Sequence, residues 1–379
     1  MTSRQAIEAV FRREDPGRVV YAPNYWQWFA HHRRHGTLPA ELSLCLDQYD
    51  LLAHLDVDVF SRNLYCDQRR CWFGGLADET LDGGRIEIEE EEGPGGDLLI
   101  NRRYHLPSGV LAETQRHVAR ESTLVQERFL VDDPELQLNL LEELVERRRW
   151  RFEPARWQAW IDRVGDRGLP CAGEVFSPLK LLHLVMGPEA TTYFLCDEPE
   201  RAATLLERHE QAQLGLIRQM AAAGVPAIMA MDNLDSVFHT PAYLEAYSAS
   251  FYQNASSVCH EYGAQFFIHA CGNQRENLAR IASYGVDGLE GVAYPPLGNI
   301  ELDEAFALTG DRFLITGGIS AIETGSLRSR QEVFDYVGGL FERLRPYRHR
   351  FLLAASCNTA INARWETLLD FRDAWRELG

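Results

Sequence analysis

Gln265-Phe266-Phe267-Ile268-His269-Ala270-Cys271 is the stretch on which the reading of this chain turns, and Val286-Asp287-Gly288-Leu289-Glu290 follows it after a helical pattern. Each is a short apolar run of the kind that makes a buried strand, and each ends in side chains able to bind a metal or carry a proton. A third run, Phe351-Leu352-Leu353-Ala354-Ala355-Ser356, leads into Cys357. Imidazole, thiolate and carboxylate are the groups that a tetrahedral zinc ion takes. In a barrel of parallel strands, the strand C-termini converge on one face, where residues distant in sequence can meet around one ion.

The strand of the opening stretch spans Ala264–His269, and working outward, further strand candidates are Leu169–Glu174, Ala227–Asp232, Phe313–Thr316 and two early runs, Arg18–Pro23 and Val57–Phe60. Helical patterns fall between the later ones, near 178–186, 201–223, 241–262, 273–284, 302–308 and 331–344. Eight strands alternating with helices favour an α/β fold of the (β/α)8 barrel type over a doubly wound sheet. An N-terminal helix precedes them, with Thr2 and Gln5 spaced as a capping box. Between about 72 and 130 the pattern changes. Arg85-Ile86-Glu87-Ile88-Glu89 alternates with period two, Gly93-Pro94-Gly95-Gly96 turns, and Leu98–Tyr104 returns, which predicts an inserted antiparallel β-hairpin with a solvated glutamate edge. No composition break marks a second domain, so residues 1–379 are expected to form one.

Bulk properties narrow the function. The chain has 379 residues, 45% of them hydrophobic, enough for a large core without a metal staple. Its 56 acidic and 38 basic side chains leave a formal charge of −18, which argues against nucleic acid and anionic membrane surfaces as partners. No apolar stretch approaches the roughly 18 residues of a membrane span, and the first residues lack the apolar core of a signal peptide. A cytoplasmic location is expected. Of eight cysteines, Cys45, Cys66, Cys71, Cys171, Cys196 and Cys259 carry no partner signal and read as buried or incidental thiols.

His269 and Cys271, separated by one residue in an extended chain, point to the same side. Glu290 ends the next strand and Cys357 the last, beside the first in a closed barrel. The expected metal ligands are therefore His269, Cys271, Cys357 and Glu290. The plain alternative is a core histidine among buried thiols. Glu174 and Asp232 end two other strands and are the acid–base candidates, with Glu174 also a reserve ligand. Asp235 and Ser236 read as caps of the following helix. After the first strand comes Asn24-Tyr25-Trp26-Gln27-Trp28-Phe29-Ala30-His31-His32-Arg33-Arg34. Loops there overhang the mouth of a barrel, so Tyr25, Trp26, Trp28 and Arg33 are candidates for contact with substrate, or else rim packing. The basic run Glu146–Arg151 reads as one solvated helix surface.

At these residues the chain resembles the uroporphyrinogen decarboxylase superfamily, which includes zinc-dependent corrinoid methyltransferases. The likeness rests on Asp15-Pro16-Gly17-Arg18-Val19, Gly173-Glu174-Val175-Phe176-Ser177-Pro178-Leu179-Lys180, His269-Ala270-Cys271-Gly272-Asn273, Val286–Glu290, Thr316-Gly317-Gly318-Ile319 and the Cys357 segment, in that order. True uroporphyrinogen decarboxylases hold carboxylates with an Arg-Gln-Ala-Gly-Arg motif, absent from the segment Trp28–Gly36. The methyltransferase branch carries a His-x-Cys and a distant Cys as zinc ligands, which His269, Cys271 and Cys357 match. The resemblance thus implies methyl transfer between a small-molecule methyl ether, amine or thiol and a corrinoid (cobalamin) on a partner protein, with zinc bound; a homodimer is allowed. Two other readings stay open: a metal-free decarboxylase using Arg33, Arg34 and Asp232, and a non-catalytic tetrapyrrole- or corrinoid-binding protein with structural zinc.

Overall fold

The computed structural model of the protein describes residues 1–62, 69–70 and 74–379. Cys66 and Cys71 lie outside the described residues; Cys45, Cys171 and Cys259 are buried, and Cys196 is exposed. In chain order the strands begin with β1 (Val20–Tyr21), β2 (Ala77–Leu81), β3 (Arg85–Glu92), β4 (Leu98–Leu106), β5 (Gly109–Val118), β6 (Thr123–Arg128) and β7 (Arg148–Phe152). They continue with β8 (Ala172–Val175), β9 (Ala227–Met231), β10 (Gln265–His269), β11 (Gly288–Val292), β12 (Leu314–Ile319) and β13 (Phe351–Ala355).

Strands β1, β13, β12, β11, β10, β9 and β8 form one sheet in that order, every pairing parallel. Residues 57–61, which include the strand expected at Val57–Phe60, fill the space between β1 and β8. The Asp58 N–H donates to the Tyr21 carbonyl at 3.0 Å, and Val59 bridges Gly168 in parallel. Leu169 and Cys171 N–H groups donate to the carbonyls of Val59 and Ser61, at 2.8 and 3.1 Å. This run is the eighth stave of an α/β barrel. Helices including Pro178–Asp197, Pro199–Ala222, Ala249–Glu261, Arg330–Leu344 and Trp365–Leu378 pack outside it.

Pleating sorts the strand residues into two cores, because successive side chains point to opposite faces. Met229 and Met231 of β9 join Val20, Phe60, Phe267, Leu314 and Leu352 in the lumen. Ile228 and Ala230 join Phe266, Ile268, Ile315 and Leu353 against the helices. The N-terminal helix Ser3–Phe11, begun by the expected Thr2–Gln5 capping box, sends Ile7, Val10 and Phe11 into the lumen core. Phe11 stands 5.6 Å from the Phe267 ring and 5.7 Å from that of Phe60. The helix closes the N-terminal end of the barrel and leaves the other end for polar side chains.

The insertion is larger than the expected hairpin. Strands β3, β4, β5 and β6 make a four-stranded antiparallel sheet, and β2 pairs separately with β7. Period two persists beyond the first return because Pro107-Ser108 supplies a second turn between β4 and β5. The glutamate run does lie on the outer strand β3, where Glu89 pairs with Arg103 at 2.7 Å and Glu92 with Arg69 at 2.8 Å. The basic run is not a solvated helix surface. The helix Pro134–Arg147 ends there, and Arg148 begins β7, buried between Glu79 and the Tyr104 hydroxyl. Buried partners override the charge pattern of the surface. Among the described residues no helix is long and apolar enough to cross a membrane.

One ion pair bolts the eighth stave to β1. Asp58, only 1% exposed, takes both Arg18 Nη atoms at 2.5 and 2.6 Å and the Tyr21 N–H at 2.9 Å. Asp58→Ala would strand the Tyr21 donor and an arginine that keeps some solvent contact. The expected cost is about 3 kcal/mol, the low end for a broken buried pair, read as a lowered urea midpoint with unchanged slope.

Candidate metal centre

The alternation that fills the lumen with Met229 and Phe267 places His269 there too, because it continues the inward series of β10. Parallel register sets His269 beside Glu290 on one side and Met231 on the other. Cys271 lies two residues beyond His269. Cys357 follows β13 where the chain bends, and Asn24, just after β1, braces that bend. The Asn24 amide donates to the Cys357 carbonyl at 3.2 Å, and the Thr359 hydroxyl donates to the Asn24 carbonyl at 3.0 Å. One ligand atom each from His269, Cys271 and Cys357 all lie within 4.8 Å of one another. The Cys271 sulfur is 3.2 Å from His269 Nε2.

Glu290 stands behind this cluster. Its Oε2 receives His269 Nδ1 at 2.6 Å and Arg62 Nε at 2.8 Å, so the structure corrects the expectation of a fourth ligand. The reason is register: the pairing puts the carboxylate at the back of the ring, and Arg62 holds it there. With Nδ1 committed to the carboxylate, Nε2 faces the two sulfurs. Burial opposes the charged form of Glu290, but Arg62 and His269 outweigh it and lower its pKa. Burial and Arg62 also oppose an imidazolium at His269, yet Glu290 and Cys357 prevail and raise it. The two thiols shift in opposite directions. Hydrogen bonding to Cys357 raises the Cys271 pKa well above the ordinary thiol value, and the same contact, with His269 and Arg62, lowers that of Cys357.

The three residues open onto a cavity of about 260 Å³. Trp26, Gln27, Thr123, Lys180, Leu184 and Asn358 contribute to its walls. Lys180 is largely buried, which lowers its pKa, although Asp232 and Cys271 favour the ammonium. Thr123 comes from β6, so the inserted sheet covers the barrel mouth. The Gln27 amide ties the two parts by donating to the Ser122 carbonyl at 2.9 Å.

Of the four aromatic and basic substrate candidates, Trp26 alone lines this cavity. The segment is a helix, Trp26–His35, not an overhanging loop, and consecutive residues fan out by about 100°. The Tyr25 hydroxyl meets that of Tyr21 at 2.7 Å. Trp28 stacks on Trp365 and donates Nε1–H to the Ala363 carbonyl at 2.9 Å. Arg33 points to the Cys45 and Leu46 carbonyls.

The acid–base candidates also face away, for a single-residue reason. On β8 Gly173 is inward, where a Cβ would meet Arg62 and the Met231 sulfur, so Glu174 points outward. There it accepts the Leu76 N–H at 2.9 Å in a separate cavity, and burial pushes its pKa up to about 7. Asp232 follows inward Met231 and likewise turns outward, accepting from the Ser177 N–H at 2.9 Å and the Tyr252 hydroxyl at 2.5 Å. Burial raises its pKa, and it braces the start of the helix Pro178–Asp197, which follows β8. Asp235 and Ser236 cap no helix, since Thr240 caps Pro241–Tyr247; Asp235 instead holds the Asn273 N–H at 3.2 Å. Arg62 and Thr123 went unnoticed in the sequence because no motif marks them, and Lys180 entered only as the last residue of the Gly173–Lys180 likeness. Lys180, two residues after a helix-starting Ser177-Pro178, carried the one available signal.

Comparison with known proteins agrees with this architecture. Over its full length the chain matches a methyltransferase from Methanosarcina mazei, with a TM-score of 0.64 and 13% identity, covering 100% of this chain and 99% of the other. A D-psicose 3-epimerase from Clostridium cellulolyticum H10 matches at a TM-score of 0.34 and 10% identity, over 59% of this chain and 83% of that one. No curated protein matches the sequence. The sequence pattern of the uroporphyrinogen decarboxylase (URO-D) family matches residues 160–378, which hold β8 to β13 and His269, Cys271 and Cys357. The chain belongs to the uroporphyrinogen decarboxylase family.

Proposed function

We propose that the protein is a zinc-dependent methyltransferase, moving a methyl group between a small methyl ether, amine or thiol and a corrinoid held on a partner protein. The observation that carries this reading is the meeting of His269 Nε2, Cys271 Sγ and Cys357 Sγ at the floor of an open cavity. The donor set suits zinc. Ligands at ordinary zinc distances in a tetrahedron leave nitrogen and sulfur about 3.5 Å apart, close to the 3.2 Å between His269 and Cys271. When bound, zinc would hold a thiol acceptor as thiolate or polarise the oxygen of a methyl ether. Glu290 and Arg62 fix the histidine ring, and Trp26 and Leu184 offer apolar walls to the substrate. The shared fold with a methyltransferase is in keeping with this reading.

Two features weigh against the alternatives. Decarboxylation of a poly-carboxylate favours arginines crowded at the barrel mouth. Here Arg33 binds backbone carbonyls, while Arg34 reaches His117 and Ser122. A structural zinc site would be closed by four protein ligands, whereas Cys271 and Cys357 are half-buried and border the cavity.

Purified without added metal, the protein should carry about one zinc per chain. Cys271→Ser should lose it while the thermal midpoint barely moves, since the apolar core does not need the ion. Unfolding of the stripped protein would instead identify a structural ion. Glu290→Gln should lower zinc affinity by about 10–100-fold, the usual effect of removing a carboxylate that orients a ligating histidine; unchanged affinity would remove Glu290 from that role. The zinc-loaded protein should exchange methyl groups between methylcobalamin and a panel of thiols, and should release no carbon dioxide from uroporphyrinogen. Metal-independent carbon dioxide release would overturn the assignment.

A further inference from the structure

A second cavity, of about 570 Å³, lies between the outside of the barrel and the inserted sheet. Phe176, Leu181 and Leu184 bound it on the barrel side, and Ile86 and Trp150 on the other. The charged groups around it are mostly paired. Arg102 meets Glu113 at 3.0 Å, Arg148 meets Glu79, and Asp78 meets Arg156 at 2.8 Å. Glu174 differs: among the described residues no basic side chain reaches it at ion-pairing distance. Its Oε1 is held by the Leu76 N–H, and Oε2 lies against Gly74, where a Cβ would stand only 3.2 Å away. The absence of a side chain at Gly74 leaves room for that oxygen.

A carboxylate between apolar walls is costly unless a proton or a cation neutralises it. The volume falls in the range of about 300–1,000 Å³ typical of small-molecule sites; its walls mix apolar side chains with paired charges, and among the ionisable side chains that line it Glu174 is the one held by no basic partner among the described residues. We propose that this cavity is a binding site for a small organic cation, its ammonium paired with Glu174 and its alkyl groups against Phe176, Leu181 and Leu184. Trp150 adds an aromatic surface of the kind that attracts alkylammonium groups. Leu184 also borders the metal cavity, so the bound cation would lie behind a wall shared with that cavity. The site stands on its own geometry and does not require the methyl-transfer reading.

The test compares choline with its uncharged isostere 3,3-dimethylbutan-1-ol, by calorimetry on the full chain. Choline should bind and the alcohol should not. Affinity should tighten as pH rises through about 7, because the cation needs the ionised carboxylate. Glu174→Gln keeps an acceptor for the Leu76 N–H and should weaken choline by at least about tenfold. Equal binding of the alcohol, undiminished binding to Glu174→Gln, or no choline binding at millimolar concentration would each overturn the proposal. If the variant folds poorly, the comparison of cation and alcohol on the unaltered protein still decides.

Discussion

The contact on which the polar end of the barrel depends is the His269–Glu290 hydrogen bond between paired positions of β10 and β11. Both side chains are inward by pleating, and both lie above the apolar layer of Met229, Phe267, Leu314 and Leu352. A buried carboxylate and imidazole would each be costly alone. Together, and with Arg62 closing the pair at 2.8 Å, each satisfies the others. The same bond directs Nε2 toward the sulfurs, so one interaction serves both the stability of the lumen and the aim of the imidazole. A slip of one residue in this register would send His269 among the helices and dissolve the cluster.

Much of this was legible in the sequence. Apolar runs marked the strands because buried parallel strands are apolar on both faces. His-x-Cys was legible because alternation returns to the same side after two residues. The phase of each strand was not. Glu174 and Asp232 end their strands as visibly as His269 does, yet each sits one residue out of phase with the lumen, and nothing in Ala-Gly-Glu or Ala-Met-Asp alone says which residue faces in. Gly173 and Met231 hold the inward positions, which only the assembled barrel reveals. Tyr25, Trp28 and Arg33 were lost for a related reason. A helix disperses neighbouring residues, and its apolar face took Trp28 for the core.

The inserted sheet was underestimated because local pattern identifies strand pairs but not what a sheet does. Its outer strand is the solvated glutamate edge expected of an exposed β-strand. Its other end carries Ser122 and Thr123 onto the helix that follows β1, so an apparent decoration becomes part of the wall of the cavity above His269, Cys271 and Cys357. Arg148 shows the same limit from the other side. In a row of arginines it looks solvated, but the pairing of β2 with β7 brings Glu79 to it, and Arg148 is buried against Tyr104.

Charge balance ties the cluster together. The pKa shifts favour an imidazolium at His269, a carboxylate at Glu290 and a thiolate at Cys357, with Cys271 keeping its proton. With the Arg62 guanidinium, two positive charges then face two negative ones, as a buried site requires when water is scarce. A divalent cation bound by all three residues needs the protons of His269 and Cys271 removed, since metal ligands bind deprotonated. Two proton charges leave and two metal charges enter. Glu290 and Arg62 meet His269 on its Nδ1 side, away from Cys271, so the contacts that aim Nε2 do not use the atoms that would face an ion. The apolar layers of Met229, Phe267, Leu314 and Leu352 lie beneath this polar end and are built from side chains that bind no ion.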